Sequence, residues 1–155
     1  MTEVDTSNVV IRGLRGVAAA TTRTSFVDPL GALFYSGYDI DDLVEHGTIE
    51  EVIYLLLNNE LPTKSELADL KSKLFEDMVL PDPVIKRIKS ASPNCHPMEI
   101  LRTEVSHLGE LDPEHDDNSI TANKRRAIRL ISQVPALISA IHRIREKEEP
   151  LAHIQ

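Results

Sequence analysis

The chain has 155 residues, of which 41% are apolar and 27% are charged, and this balance predicts a soluble globular protein of one-domain size. Its formal net charge of −8 argues against nucleic acid binding, because neutralising phosphates requires clustered Lys and Arg. With no Trp and only three Tyr and three Phe, the core must be built from aliphatic side chains, which favours packed helices.

Composition also bears on compartment and boundaries. No apolar run approaches the ~20 residues that span a bilayer, so no membrane association is expected. The acidic, polar residues 1–8 do not resemble a signal or transit peptide, and the single cysteine, Cys95, is typical of a reducing compartment. We expect a cytoplasmic protein in which 1–8 and 151–155 are flexible tails and 9–150 forms one domain.

The first predicted element is a short β-hairpin near the amino terminus. Asp28-Pro29-Leu30-Gly31 has the composition of a tight turn, since Pro fixes φ and Gly permits backbone that other residues avoid. Segments 24–27 and 32–35 flank this turn and are predicted to pair. They are the only strands that the sequence predicts.

From Ile40 onward the pattern is helical, and two capping boxes mark helix starts. Thr48–Glu51 and Thr63–Glu66 each place a Thr three residues before a Glu, so that side chain and backbone can bond reciprocally. Apolar residues surround the first of these helices, which predicts burial on nearly all sides before Asn58 and Asn59 end it. The second helix has one apolar face, which comprises Leu67, Leu70, Leu74 and Phe75.

Prolines mark the next two helix starts, because the first turn of a helix tolerates a missing N–H. Pro81 and Pro83 open a short helix that ends at Ser92-Pro93, and Pro97 opens another that is predicted to stop at Gly109. The inward residues of the short helix are Val84, Ile85 and Ile88. The stripe predicted for the next helix is Met98, Leu101, Val105 and Leu108.

The last predicted helix is long, from about residue 120 to 146. Pro135 lies inside it and should kink it, because proline removes a backbone hydrogen bond and crowds the preceding turn. Its predicted apolar stripe, widened by Leu130 and Leu137, consists of Ile128, Ile131, Val134, Ile138, Ile141 and Ile144.

Two clusters suggest binding chemistry, but a structural interpretation is favoured for both. His107, Glu110, Asp112 and His115 could ligate a metal, yet they straddle a helix end and a polar loop without a repeated ligand spacing. We therefore expect a solvated acidic surface loop at 112–117. The basic run 124–126 is interpreted as a solvated first helical turn rather than an anion site.

Nucleophilic catalysis is also disfavoured. Cys95 precedes His96 directly, and adjacent residues seldom adopt the geometry of a Cys–His pair. His96 is better placed to cap the helix that opens at Pro97, where free N–H groups need partners. Spacing does not select any of the arginines at 12, 15, 23 and 102 as an anion ligand. We predict no catalytic, cofactor or metal-binding residue in this chain.

Several collinear segments resemble the short archaeal and bacterial type of the citrate synthase family. The most specific are Tyr35-Ser-Gly-Tyr-Asp-Ile-Asp-Asp42, Glu60-Leu-Pro-Thr63 and His96-Pro-Met-Glu-Ile-Leu-Arg102, supported by Gly13-Leu-Arg-Gly16 and Tyr54-Leu-Leu-Leu57. The resemblance implies a mainly α fold: the helical amino-terminal part of the family's large domain with a small β-hairpin. Ser36, where the family commonly has Arg, and Pro29, where Gly is common, depart from the pattern.

The resemblance also implies a reaction and a substrate. In the family, a carboxylate takes a proton from acetyl-CoA and a histidine stabilises the enol, which attacks oxaloacetate before the thioester is hydrolysed. 2-Methylcitrate synthases do the same with propionyl-CoA, and nothing in this stretch separates the two. The residues that do this chemistry follow the kinked helix in the family, so we expect the 155-residue chain to be inactive alone.

What such a chain would bind is the remaining question. Either it is a non-catalytic interaction module, such as a truncated gene product, or it is one piece of a split enzyme. In the family, helices corresponding to 97–111 and 120–146 pack across a dimer axis with later helices. The resemblance therefore implies self-association, or a partner polypeptide that supplies the missing carboxy-terminal part.

Overall fold

A computed structural model describes residues 20–151 of the chain, and this part is mainly α with one small antiparallel sheet, as predicted. Residue contacts divide the chain after Leu61 into two compact units, 1–61 and 62–155. In chain order the elements are β1 Ser25–Val27, β2 Leu33–Tyr35, β3 Tyr38–Asp39, α1 Ile40–His46, α2 Ile49–Asn58, α3 Lys64–Glu76, α4 Asp82–Ser90, α5 Pro97–Glu110 and α6 Ile120–Arg145.

The predicted hairpin is confirmed. Strands β1 and β2 pair antiparallel with Phe26 opposite Phe34. The Asp28 carboxylate accepts hydrogen bonds from the backbone N–H groups of Leu30 at 2.8 Å and Ala32 at 2.9 Å. Gly31 has φ of +98°, a left-handed conformation that glycine adopts without steric cost. The turn is therefore held by its own residues.

A third strand, β3, was not predicted. It pairs with β2 through Tyr35 and Tyr38, which leaves a two-residue loop of Ser36 and Gly37 with φ of 48° and 92°. Two successive positive φ values define the tight hairpin turn whose twist matches that of paired strands. The Ser-Gly dipeptide signals such a turn, but a two-residue strand that runs straight into α1 leaves no alternating pattern to detect.

Helix α2 begins and ends where its local signals predict. Thr48 and Glu51 form the predicted capping box, and Asn59 ends α2 in the left-handed conformation. The prediction that α2 is buried on nearly all sides is met in part, because residues 50–54 and 56–58 are half-buried. Leu55 alone of its residues is buried, and Ile49 is 70% exposed.

Helices α3 and α4 start at the predicted signals. Thr63 and Glu66 form the second capping box, and Pro81 precedes α4. Leu70 is the buried residue of α3, whereas Phe75 at its end is 40% exposed although it was predicted to face inward. In α4 the inward residues Val84 and Ile88 are buried as predicted.

The core of unit 62–155 lies among α4, α5 and α6, and several of the predicted apolar residues of the two longer helices belong to it or pack against it. In α5 the buried residues are Ile100, Glu104 and Leu108, whereas Met98 is 61% exposed. Leu101 and Val105 of the predicted stripe are half-buried and pack against the core, so the buried face of α5 is wider than predicted. The buried apolar cluster consists of Val84, Ile88, Ile100, Leu108, Leu137, Ala140 and Ile141.

Helix α6 continues through Pro135 without a break. Two residues of its predicted apolar stripe are exposed, Ile131 at 38% and Ile138 at 53%, whereas Leu137 and Ile141 are buried. No helix in the described part of the chain is both long and apolar enough to cross a membrane. The predicted tail 1–8 and most of 151–155 lie outside the described residues, and the single domain at 9–150 stays a prediction.

Candidate functional site

The best-organised polar cluster joins the α5–α6 loop to the start of α6. Arg129 donates hydrogen bonds to the Asp112 carboxylate from two nitrogens, Nε at 3.2 Å and Nη2 at 2.8 Å. Arg129 Nη2 also lies 3.0 Å from Glu114 Oε2, and Arg125 pairs with the same carboxylate. Arg126 Nη2 donates to the carbonyl oxygens of Glu114 and Asp117 at 2.5 and 3.0 Å. Loop and helix are thus cross-linked by charge-assisted bonds.

The acidity of the loop carboxyls reflects these contacts. Hydrogen bonds from Arg125 and Arg129 lower the pKa of Glu114 to about 2. Burial acts to raise the pKa of Asp112, but hydrogen bonds from Arg129 and from the Glu114 backbone outweigh it and leave that pKa lowered. Both groups are held as carboxylates already neutralised by arginines, so neither is disposed to accept a proton near neutral pH.

Two sequence predictions for this region need correction. The acidic loop is not simply solvated, because the Asp112 side chain is only 8% exposed. The basic run at 124–126 is solvated only in part, since the Arg125 side chain is 50% exposed but it and Arg126 also bond to the loop. The signal that could have revealed this is the matching charge: acidic residues at 112, 114 and 117 lie one short loop from arginines at 125, 126 and 129.

The four residues weighed as metal ligands are not brought together. His107 Nδ1 lies 3.3 Å from Glu104, His115 lies beside Asp116, and Asp112 is engaged by arginines. Among residues 20–151, no group of three or more His, Cys, Asp or Glu could hold a metal ion.

His96 caps the start of α5, as predicted. His96 Nδ1 accepts a hydrogen bond from the Met98 N–H at 3.2 Å, and Glu99 accepts one from the His96 N–H at 3.1 Å. The Cys95 thiol donates to Glu99 at 3.3 Å, and this bond raises the pKa of the thiol. A raised pKa keeps the reactive thiolate scarce, which is the opposite of what a nucleophile requires.

Sequence reasoning missed a buried ionic group on α5. The Glu104 side chain is 3% exposed and lies 3.4 Å from Arg87 Nε of α4 and 3.3 Å from His107 Nδ1. It sits between Ile100 and Leu108 on the buried face, so its partners satisfy a charge that would otherwise be costly in the core. The three-residue spacing of Glu104 and His107 is the sequence feature that could have predicted their contact on one face of the helix. The arrangement ties α4 to α5.

Unit 1–61 has an open depression of about 420 Å³ on its small sheet, lined among others by Arg23, Phe26, Phe34 and Ser36. Arg102 lies exposed on α5, while Arg12 and Arg15 lie outside the described residues. The organised ionic clusters described above are neutralised internally, and their geometry suits holding helices and loops in place.

Comparisons with known proteins identify the family. The family model for "Citrate synthase, C-terminal domain" matches residues 13–155, and the chain belongs to the citrate synthase family. Citrate synthase 2 of Bacillus subtilis is 48% identical over 90% of this chain, and Citrate/2-methylcitrate synthase of the same organism is 38% identical over 92%. The resemblance drawn from the sequence motifs is thereby confirmed.

Solved structures agree with the sequence relatives. The crystal structure of citrate synthase from Pyrobaculum aerophilum superposes with a TM-score of 0.84 at 27% identity over 90% of this chain. The matches cover only part of these relatives: the chain spans 38% of the length of B. subtilis Citrate synthase 2 and 37% of the P. aerophilum chain.

Proposed function

We propose that the chain is the amino-terminal part of a citrate or 2-methylcitrate synthase and that its 155 residues are inactive without the rest. The observation that carries this proposal is the family match through residues 13–155 of a chain that spans only 38% of its B. subtilis relative. The complete protein would join acetyl-CoA or propionyl-CoA to oxaloacetate, with water releasing free CoA. Relatives named for either product occur, including 2-methylcitrate synthase of Shewanella oneidensis, 39% identical over 86% of this chain.

The chemistry of the described side chains supports inactivity. A general base must be free to take a proton from the substrate. The loop carboxylates Asp112 and Glu114 are instead bound by arginines, and Glu104 is buried against Arg87 and His107. In this proposal these three carboxylates have a structural role, and the residues that act as general acid and base belong to the remainder of the synthase. The composition-based prediction of a cytoplasmic location belongs to the same proposal.

A release assay for CoA thiol tests activity directly. We expect no thiol release above the blank from the purified chain with oxaloacetate and either acetyl-CoA or propionyl-CoA. Adding the part of the B. subtilis relative that follows its match to this chain should produce turnover, and the better acyl substrate then identifies the product. Turnover by the chain alone, at rates near those of a full-length relative, would refute the proposal.

The second candidate function is a non-catalytic interaction module, and exposed apolar residues on α6 favour it. Ile131 and Ile138 are separated by seven residues, the repeat by which one helix face meets another helix. Leaving such residues in water forfeits part of the roughly 1.5–3 kcal/mol that full burial of each would contribute. We infer that the chain self-associates through α5 and α6, or binds there the polypeptide that completes it.

Sedimentation analysis tests this association. We expect Ile138→Asp to shift an associated chain to monomer, whereas Thr121→Asp, at an exposed polar position of the same helix, leaves association intact. Association without any restored turnover would favour the module over the split enzyme. A compact monomer at micromolar concentration, indifferent to both substitutions and to added complement, contradicts both forms of the proposal.

A further inference from the structure

We draw no further inference here: the strongest candidate, the open depression on the small sheet lined by Arg23, Phe26, Phe34 and Ser36, carries none because nothing in the described part of the chain shows what covers or occupies it.

Discussion

The two units use the same local devices to start helices but differ in what they bury. Thr48 and Thr63 form identical capping boxes, one in each unit. Unit 62–155 gathers seven buried apolar side chains from three helices into one cluster, whereas Leu43 and Leu55 are the large apolar side chains buried among residues 20–61. Residues 62–151 contain 14 Lys or Arg against 15 Asp or Glu, so the acidic excess belongs almost entirely to the other unit. Local signals therefore suffice to define helices, but a core requires neighbours.

The largest effect should come from the cluster of unit 62–155. Leu137 is fully buried, so Leu137→Ala should lower the free energy of unfolding by about 2–5 kcal/mol through lost burial and the cavity left behind. Its sequence neighbour Ile138 is 53% exposed, and Ile138→Ala in the isolated chain should cost less than about 1 kcal/mol. Urea denaturation measures both, and equal losses would contradict the assignment of the core.

The buried ionic group should rank next. Glu104→Ala should cost about 2–3 kcal/mol, because it removes a buried side chain and leaves His107 without its carboxylate partner. Glu110→Ala, at an exposed position near the end of the same helix, should stay within about 0.5 kcal/mol of the parent. The same urea titration applies. If the two variants are indistinguishable, Glu104 contributes nothing to joining α4 and α5.

The two capping boxes should contribute equally to the stability of the two helices that they start. Thr48→Ala and Thr63→Ala should each destabilise their own helix by about 1 kcal/mol, since each removes a side-chain acceptor for a free N–H. Hydrogen exchange measured residue by residue should show faster exchange at the start of α2 in one variant and of α3 in the other. Thr121→Ala, which is not a capping residue, should change neither.

The smallest effect concerns pH and the α5–α6 loop. The pKa of Glu114 is lower in the folded chain, at about 2, than its ordinary value of 4.5, so its contribution is present above about pH 4.5 and is lost as pH falls through 2. We expect the urea midpoint to decline between pH 4.5 and 2, and Glu114→Gln should flatten part of that decline. A variant with an unchanged pH profile would show that the Arg125 and Arg129 contacts do not persist in solution.

The features that the sequence predicts correctly depend on interactions between residues that are close together in the chain. The hairpin turn at Asp28–Gly31 and both capping boxes depend on bonds between residues at most four apart, so a short window contains the whole cause. The same holds for His96, whose partners are Met98 and Glu99. Strand β3 escaped because two residues are too few to establish a pattern.

The ionic clusters could not be found in this way. Arg129 and Asp112 are 17 residues apart, as are Arg87 and Glu104. From the sequence alone, charged residues so far apart are expected to be exposed to solvent. Only the packing of α4, α5 and α6 brings them together and removes water from Asp112 and Glu104. Met98, Ile131 and Ile138 were predicted on apolar faces and are exposed, since apolar periodicity does not say which part of a face meets a neighbour.

The family, the helical class and the positions of most helix starts follow from the sequence alone, because collinear motifs and capping residues can be recognised within short segments. Tertiary structure decided which apolar residues form a core and which, like Ile49 and Ile138, stay exposed. It also decided which charges are buried and paired. Burial depends on elements brought together from distant parts of a chain. The sequence of one helix therefore does not identify which other element will pack against it.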